Sequence, residues 1–355
     1  MRHFLTKEGL MHLSKNKLAL ISWCSLSEPG DALTSLIWQE FGPTALMNAK
    51  ENNFGAWRTF ISQDFPEYLS QLDAMEERVI LRLPGTNPHE LVERGIRWNC
   101  KPVAVASLPH VASRLADLGP HAPLLLWVAG DQRVLEQNFA GIVGTRKPSW
   151  QGASNAQRLV ANLNMPIISG GAKGIDGAAH SAALDLGLPT TAIMAGGLDK
   201  AYPMENWDLF HQIVRSGGVL MSEMPPGTAP TRFRFLQRNR LIAAMCSELF
   251  VVEAAFRSGS KNTANHARAL GREVYALAGS WSSEQSQGCN TMIQEGLAKQ
   301  FVLDAPIEIE ASLNTKRVED ARMAGAKTPS EIAIESGLRI DTVEAIVLAD
   351  SGSRS

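Results

Sequence analysis

The sequence predicts a doubly wound α/β fold on a mostly parallel sheet, and three observations predict it. From about Pro123 onward, apolar runs of strand length recur along the chain. Each run is followed by a glycine-rich corner and then by a segment of helical periodicity. The runs are apolar throughout, as strands are when helices cover both faces of a parallel sheet.

Taken in order, residues 1–75 read as short helices. Ala32 to Gln39 is one, and Phe41-Gly42-Pro43 turns a corner before Thr44 to Asn48 restarts another, giving a small N-terminal helical domain. Residues 76–120 read as a bridging segment, where runs such as Val103-Ala104-Val105 alternate with turn residues. The main domain, 121–303, carries strands at Leu124–Val128, Phe139–Val143, Pro166–Ser169, Thr190–Ala195, Val219–Ser222, Leu249–Glu253 and Val274–Leu277. Between them lie helical stretches, among them Gln151–Leu163 and one running through Leu184 that Asp176 can cap. The tail, 304–355, outlines two helices, Thr328–Gly337 and Leu338–Ala349. Between Thr328 and Asp350 its acids (Glu331, Glu335, Asp341, Glu344, Asp350) face only Arg339, whereas a helix entering a DNA groove needs the opposite charge. The tail reads as a protein-contact or structural unit.

With 355 residues, 45% hydrophobic, the chain can bury a large core. No run reaches bilayer-spanning length and no apolar leader is evident. The scattered Cys24, Cys100, Cys246 and Cys289 read as reduced thiols of a cytoplasmic protein without a disulfide or zinc frame. The net charge of -2 hides an asymmetry. From Met224 to Arg272 eight bases (Arg232, Arg234, Arg238, Arg240, Arg257, Lys261, Arg268, Arg272) meet two acids, Glu248 and Glu253, a local excess of six. Such a concentration is the footprint of a polyanion site.

The candidate site residues follow the strand ends, where ligands of such sheets bind. Gly144-Thr145-Arg146 is either a phosphate contact, with glycine admitting close approach and arginine forking onto oxygens, or a tight turn with a surface arginine. It lacks the full dinucleotide spacing. Ser169-Gly170-Gly171-Ala172-Lys173-Gly174 reads as a nest of backbone N–H groups for an anion. Gly197-Leu198-Asp199 reads as a rigid turn. Arg232-Phe233-Arg234-Phe235-Leu236-Gln237-Arg238-Asn239-Arg240 interleaves bases and aromatics, which suits single-strand binding, and only one of Phe233 and Phe235 should be exposed. Arg257-Ser258-Gly259-Ser260-Lys261 offers hydroxyls, backbone donors and a cation ahead of another helix, with Asn262 or Thr263 as competing caps. His180 and His266 lack metal-ligand spacing, and there is no P-loop, nucleophile elbow or HExxH. No metal, cofactor or catalytic residue is expected.

The ordered set of motifs resembles the DprA/Smf family over roughly residues 100–300: Gly144-Thr145-Arg146, the Ser169–Asp176 loop, Gly197-Leu198-Asp199 with Tyr202-Pro203 and Asn206, Ser222-Glu223, Arg238-Asn239-Arg240, Ser258-Gly259-Ser260 with Thr263-Ala264, and Gly288 with Asn290. The resemblance implies a Rossmann-like domain, a SAM- or helix-hairpin-like N-terminal unit and a truncated winged-helix-like tail. It implies a homodimer that binds single-stranded DNA, loads RecA recombinase during natural transformation or recombination, and catalyses nothing. It assigns the DNA pocket to Arg146, Ser169 to Ala172, Arg232 and Phe235, with Arg238 and Arg240 at its border. The sequence departs from the family at Lys261, usually apolar, and at Ala278-Gly279, usually Pro-Gly. Two other readings are a non-catalytic sensor of a nucleotide-derived ligand and a nucleotide phosphoribohydrolase-like enzyme. The Arg257–Thr263 turn has no carboxylate for the latter.

Overall fold

The computed structural model describes residues 13–200, 202–303 and 307–338, with 340, 342–344 and 346–347 beyond them; for 307–313 it describes the backbone alone. Among the described residues five α-helices come first: α1 (Lys15–Ser25), α2 (Ala32–Phe41), α3 (Pro43–Lys50), α4 (Gly55–Asp64) and α5 (Leu69–Arg82). Asp31 caps α2 by accepting from the Thr34 N–H, and Pro43 at the first position of α3 makes the expected corner. The five share a core of Trp23, Leu33, Ile37, Trp57, Ile61, Leu72 and Val79. Burying each such side chain contributes about 1.5–3 kcal/mol. The Trp23 indole N–H is satisfied by the Thr34 carbonyl, 2.9 Å away.

After α6 (Pro88–Arg97) the chain enters a nine-stranded sheet: β1 (Cys100–Ala104), β2 (Leu125–Gly130), β3 (Phe139–Val143), β4 (Ile167–Ser169), β5 (Thr190–Met194), β6 (Val219–Ser222), β7 (Cys246–Val251), β8 (Glu273–Leu277) and β9 (Lys299–Phe301). The order is β1-β2-β6-β5-β4-β3-β7-β8-β9, and every pairing is parallel except those of β2 with β1 and β6. This is the doubly wound, mostly parallel sheet that uniformly apolar runs predict. In β3 all five residues are buried: Phe139 and Val143 face one helical layer, Ala140 and Ile142 the other.

The first layer comprises α7 (Pro109–Leu115), α11 (Arg232–Met245), α12 (Gly259–Ala269) and α13 (Gln287–Gln294). The second comprises α1, α6, α8 (Trp150–Leu163), α9 (Ile175–Asp185) and α10 (Trp207–Arg215). From β3 the chain winds through β4 and β5 to β6, then returns to place β7 on the other side of β3. Strand order therefore reverses between β3 and β7, which opens a crevice at their carboxyl ends.

Several local expectations change. β1 escapes the apolar-run criterion because Lys101 and Pro102 interrupt it, and β9 because it has only three residues and is largely exposed. β7 begins at Cys246, so Leu249–Glu253 catches its second half, and Glu253 lies beyond its end. Segment 76–120 contains the end of α5, all of α6, β1 and α7, more regular structure than its turn residues suggest. In the tail, α14 (Ile307–Met323) precedes α15 (Pro329–Ser336), which has a Thr328/Glu331 capping box and ends at left-handed Gly337. Of the second tail helix, Ile340, Thr342–Glu344 and Ile346–Val347 are helical, and the rest lies outside the described residues.

Candidate nucleic-acid interface

The crevice between β3 and β7 is an open groove of about 1040 Å³. Gly144-Thr145-Arg146 enters it from the end of β3, Ala255 to Lys261 from the end of β7 and the start of α12, and α11 forms its wall. The Thr145 N–H donates to the Glu253 carbonyl at 2.7 Å, binding the two loops together. Gly144 makes that approach possible: a Cβ there would lie 2.5 Å from Ile175 and 2.9 Å from the Glu253 carbonyl oxygen. Glu253 itself is buried and accepts from the N–H and hydroxyl of Ser149, which fixes the start of α8.

Three cation–aromatic pairs stand in the groove, one of them the buried Arg238 guanidinium 6.0 Å from the centre of the Phe235 ring. The Arg146 guanidinium lies 4.9 Å from the centre of the Phe235 ring, and the Lys261 ammonium 4.8 Å from that of Phe256. Tyr202 packs on Phe235 at 5.4 Å. Thr231 caps α11 and thereby orients Arg232 and Phe235 in its first turn. Arg232 and Arg257 are exposed on the lining. Among the described residues no carboxylate pairs with Arg146, Arg232, Arg257 or Lys261. Ser258, not Asn262 or Thr263, caps α12 by accepting from the Ser260 N–H; Gly259 is its first residue. Phe233 is the exposed ring, at 49%, but it is not in the lining, whereas half-buried Phe235 is.

Other sequence candidates fall outside the groove. Ser169, Gly170 and Gly171 are buried beneath it; the Ser169 hydroxyl donates to the Ile142 carbonyl. The nest is already filled. Asp176 is the second residue of α9 rather than its cap, and one of its oxygens accepts the N–H groups of Gly170 (3.2 Å) and Ala172 (3.4 Å). A carboxylate six positions along the chain thus occupies the donors offered to an external anion, and of this loop Ala172 alone reaches the lining. Lys173 is exposed but paired with Glu205. Arg240 is also outside the lining: its guanidinium is buried and bound to Glu223.

Arg238 lines the floor from below. It is 5% exposed, donates to the Ile193 carbonyl at 2.6 Å and packs on Gly170, where a Cβ would come within 1.8 Å of its Nη1. Burial lowers its pKa to about 10, with Asp176 acting in the opposite direction. Burial also raises the Asp176 pKa, while Arg238 and the loop N–H groups oppose the rise. Beside them His180 is buried, its pKa lowered to about 3 by burial first and by Arg238 second. Asn239 joins α11 to α12 through the Gly259 carbonyl and the Asn262 side chain.

The local charge excess is also redistributed. Arg234 pairs with Glu28, Arg240 with Glu223 and Arg272 with Asp117, all acids from outside the basic segment. The groove keeps Arg232, Arg257 and Lys261 and gains Arg146 from another strand. Sequence reasoning did not assign Phe256 or Tyr202 to the site. For Phe256 a signal existed, an aromatic immediately before Arg257 in a strand-end loop. Among the described residues there is no group of three or more His, Cys, Asp or Glu able to hold a metal, and no helix long and apolar enough to cross a membrane.

A sequence model of the family described as DNA recombination-mediator protein A matches residues 105–310. A Mycobacterium tuberculosis protein named as a DNA processing protein DprA is 40% identical over 261 residues, 66% of this chain and 67% of that protein. The DNA processing protein DprA of Streptococcus pneumoniae is 41% identical over 177 residues, 49% of this chain and 62% of that one. The crystal structure of a Streptococcus pneumoniae DNA processing protein A superposes with a TM-score of 0.63 at 28% identity, covering 81% of this chain and 95% of that chain.

Proposed function

The chain belongs to the DNA recombination-mediator protein A (DprA/Smf) family, and from that premise we propose that its β3–β7 groove binds single-stranded DNA without covalent chemistry. The observation that carries this reading is the pairing of unneutralised cations with aromatic rings along one open groove. Cations take phosphates and rings take bases, a combination tolerant of sequence. In the free protein Arg146 covers the Phe235 ring. An exposed cation–π contact contributes about 0.5–1 kcal/mol, a hydrogen bond to a charged group about 1.5–3 kcal/mol. A phosphate therefore draws Arg146 off the ring and leaves it free to stack on a base.

A non-catalytic role fits the acid inventory. The only carboxylate among the described lining residues is Asp176, which is buried and engaged by two backbone N–H groups. Within the same proposal the protein works as a cytoplasmic homodimer and loads RecA onto the bound strand. A filament-nucleation assay on coated DNA checks the loading step, with faster nucleation as the expected outcome.

The binding claim is tested with fluorescent oligonucleotides. The intact protein should prefer single to double strands, and Arg146→Ala and Arg232→Ala should each weaken binding by about tenfold or more. Unchanged affinity in both variants would remove the strand from this groove.

A further inference from the structure

We propose a second binding site, for a nucleotide unit (a heteroaromatic base bearing a phosphate), in the gap between the end of α6, α10 and the sheet. The gap has a volume of about 420 Å³ and shares no lining residue with the β3–β7 groove. Its floor is apolar and belongs to the second layer: Ala129 of β2, Met194 of β5, Leu220 of β6 and Phe210 of α10. Ligand pockets of about 300–1,000 Å³ typically have such walls with a few polar groups at the mouth.

The mouth supplies both parts of the recognition. Trp98 is 44% exposed and meets Trp207 edge-on at 5.8 Å, so its outer face offers a stacking surface. Trp207 also packs against His211, with ring centres 4.3 Å apart. The His211 Nδ1 lies 2.9 Å from the Trp207 carbonyl, an acceptor, so Nδ1 carries the proton and Nε2 is left for a ligand. Arg97, Lys200 and Arg215 are exposed on the lining, and among the described residues none of the three is in an ion pair. The lining contains no carboxylate. Acids near them in sequence do not neutralise them: Asp199 is turned to the Gly227 N–H at 2.7 Å, while Glu93, on α6 with Arg97, and Asp208, on α10 with Arg215, are not in the lining. Three free cations, an indole face and an apolar recess of this size fit an aromatic body with a phosphate and repel a cationic one.

The unit is either a free nucleotide or the 5′-phosphorylated end of a strand; the chemistry is shared and the test separates the sources. Calorimetry of the full chain with a nucleoside monophosphate should show binding, and the same nucleoside without phosphate should bind about tenfold or more weakly. The Arg97→Ala/Lys200→Ala/Arg215→Ala variant should lose a similar factor while keeping its thermal midpoint, and Val214→Trp should block entry. Arg146→Ala should leave this binding unchanged. Competition by a 5′-phosphorylated but not an unphosphorylated oligonucleotide assigns the site to strand ends, and lack of competition by either assigns it to free nucleotides. No binding at millimolar nucleotide, or binding abolished by Arg146→Ala and indifferent to the triple variant, would overturn the proposal.

Discussion

At the scale of single residues, the site depends on which charges the fold neutralises. Arg146 and Arg240 look alike in the sequence, yet one is exposed on an aromatic ring and the other is buried against Glu223. Pairing with acids distant in sequence decides this, so no local pattern reveals it. The alternation of bases and rings in the first turn of α11 pointed to single-strand binding but did not separate Phe235 from Phe233; only the family resemblance singled out Phe235. Asp176 was misread because capping and nest-filling call for the same residue type in the same loop. Removing the ring with Phe235→Ala should cost about 1–3 kcal/mol of single-strand affinity, measured by titration of a variant with unchanged circular dichroism; no loss would return Phe235 to a packing role. His180 gives a pH prediction. Its folded pKa, about 3, lies below the unfolded value of 6.5, so the unfolded state binds the extra proton between them. Stability contributed by the neutral ring is thus present above pH 6.5 and lost as pH falls toward 3. Asp176, with its raised pKa, acts in the opposite sense at the acid end. Thermal midpoints should fall below about pH 6, and His180→Gln should flatten that slope; an identical slope in the variant would assign the loss elsewhere.

At the scale of elements, α11 joins the groove to the N-terminal helices. Its outer end is held by Glu28, which accepts from Arg234 of α11 and Arg82 of α5. Burial alone would raise the Glu28 pKa, and these two arginines outweigh it and hold it low. Nearly two turns further along α11, Arg240 is bound by Glu223, which also accepts the Gly30 N–H at 3.2 Å. Gly30 is left-handed (φ +77), and a Cβ there would lie 2.6 Å from Gln237. Glu223→Ala strands a buried guanidinium and should destabilise the protein by about 3 kcal/mol, read as a lower urea midpoint. A midpoint within error of the parent would mean that Arg240 finds solvent. None of these inter-element contacts was legible, because they join different elements at separations from 17 residues, for Glu223 and Arg240, to 206, for Glu28 and Arg234, that no local pattern encodes. The strands buried on both faces were legible because burial itself selects apolar runs, whereas β1 and β9, at or near the sheet margins, carry no such constraint.

At the scale of the whole molecule, the reversal of strand order places the ends of β3 and β7 side by side and gathers residues from 144 to 261 around one groove. The fold class and that location follow from the alternation of apolar runs and glycine corners; the cation set does not, since it is what remains after three-dimensional pairing. The net charge of -2 is compatible with polyanion binding because the free cations are concentrated there. If Arg146, Arg232, Arg257 and Lys261 each displace one counterion, log K should fall with log salt at a slope of about -3. The most direct test is that salt slope, measured over oligonucleotides of increasing length. The account predicts affinity that grows with length to a plateau, a slope near -3 on single strands, and a slope shallower by about 0.7 in Arg146→Ala. Length-independent binding, or a slope unmoved by Arg146→Ala, would contradict it.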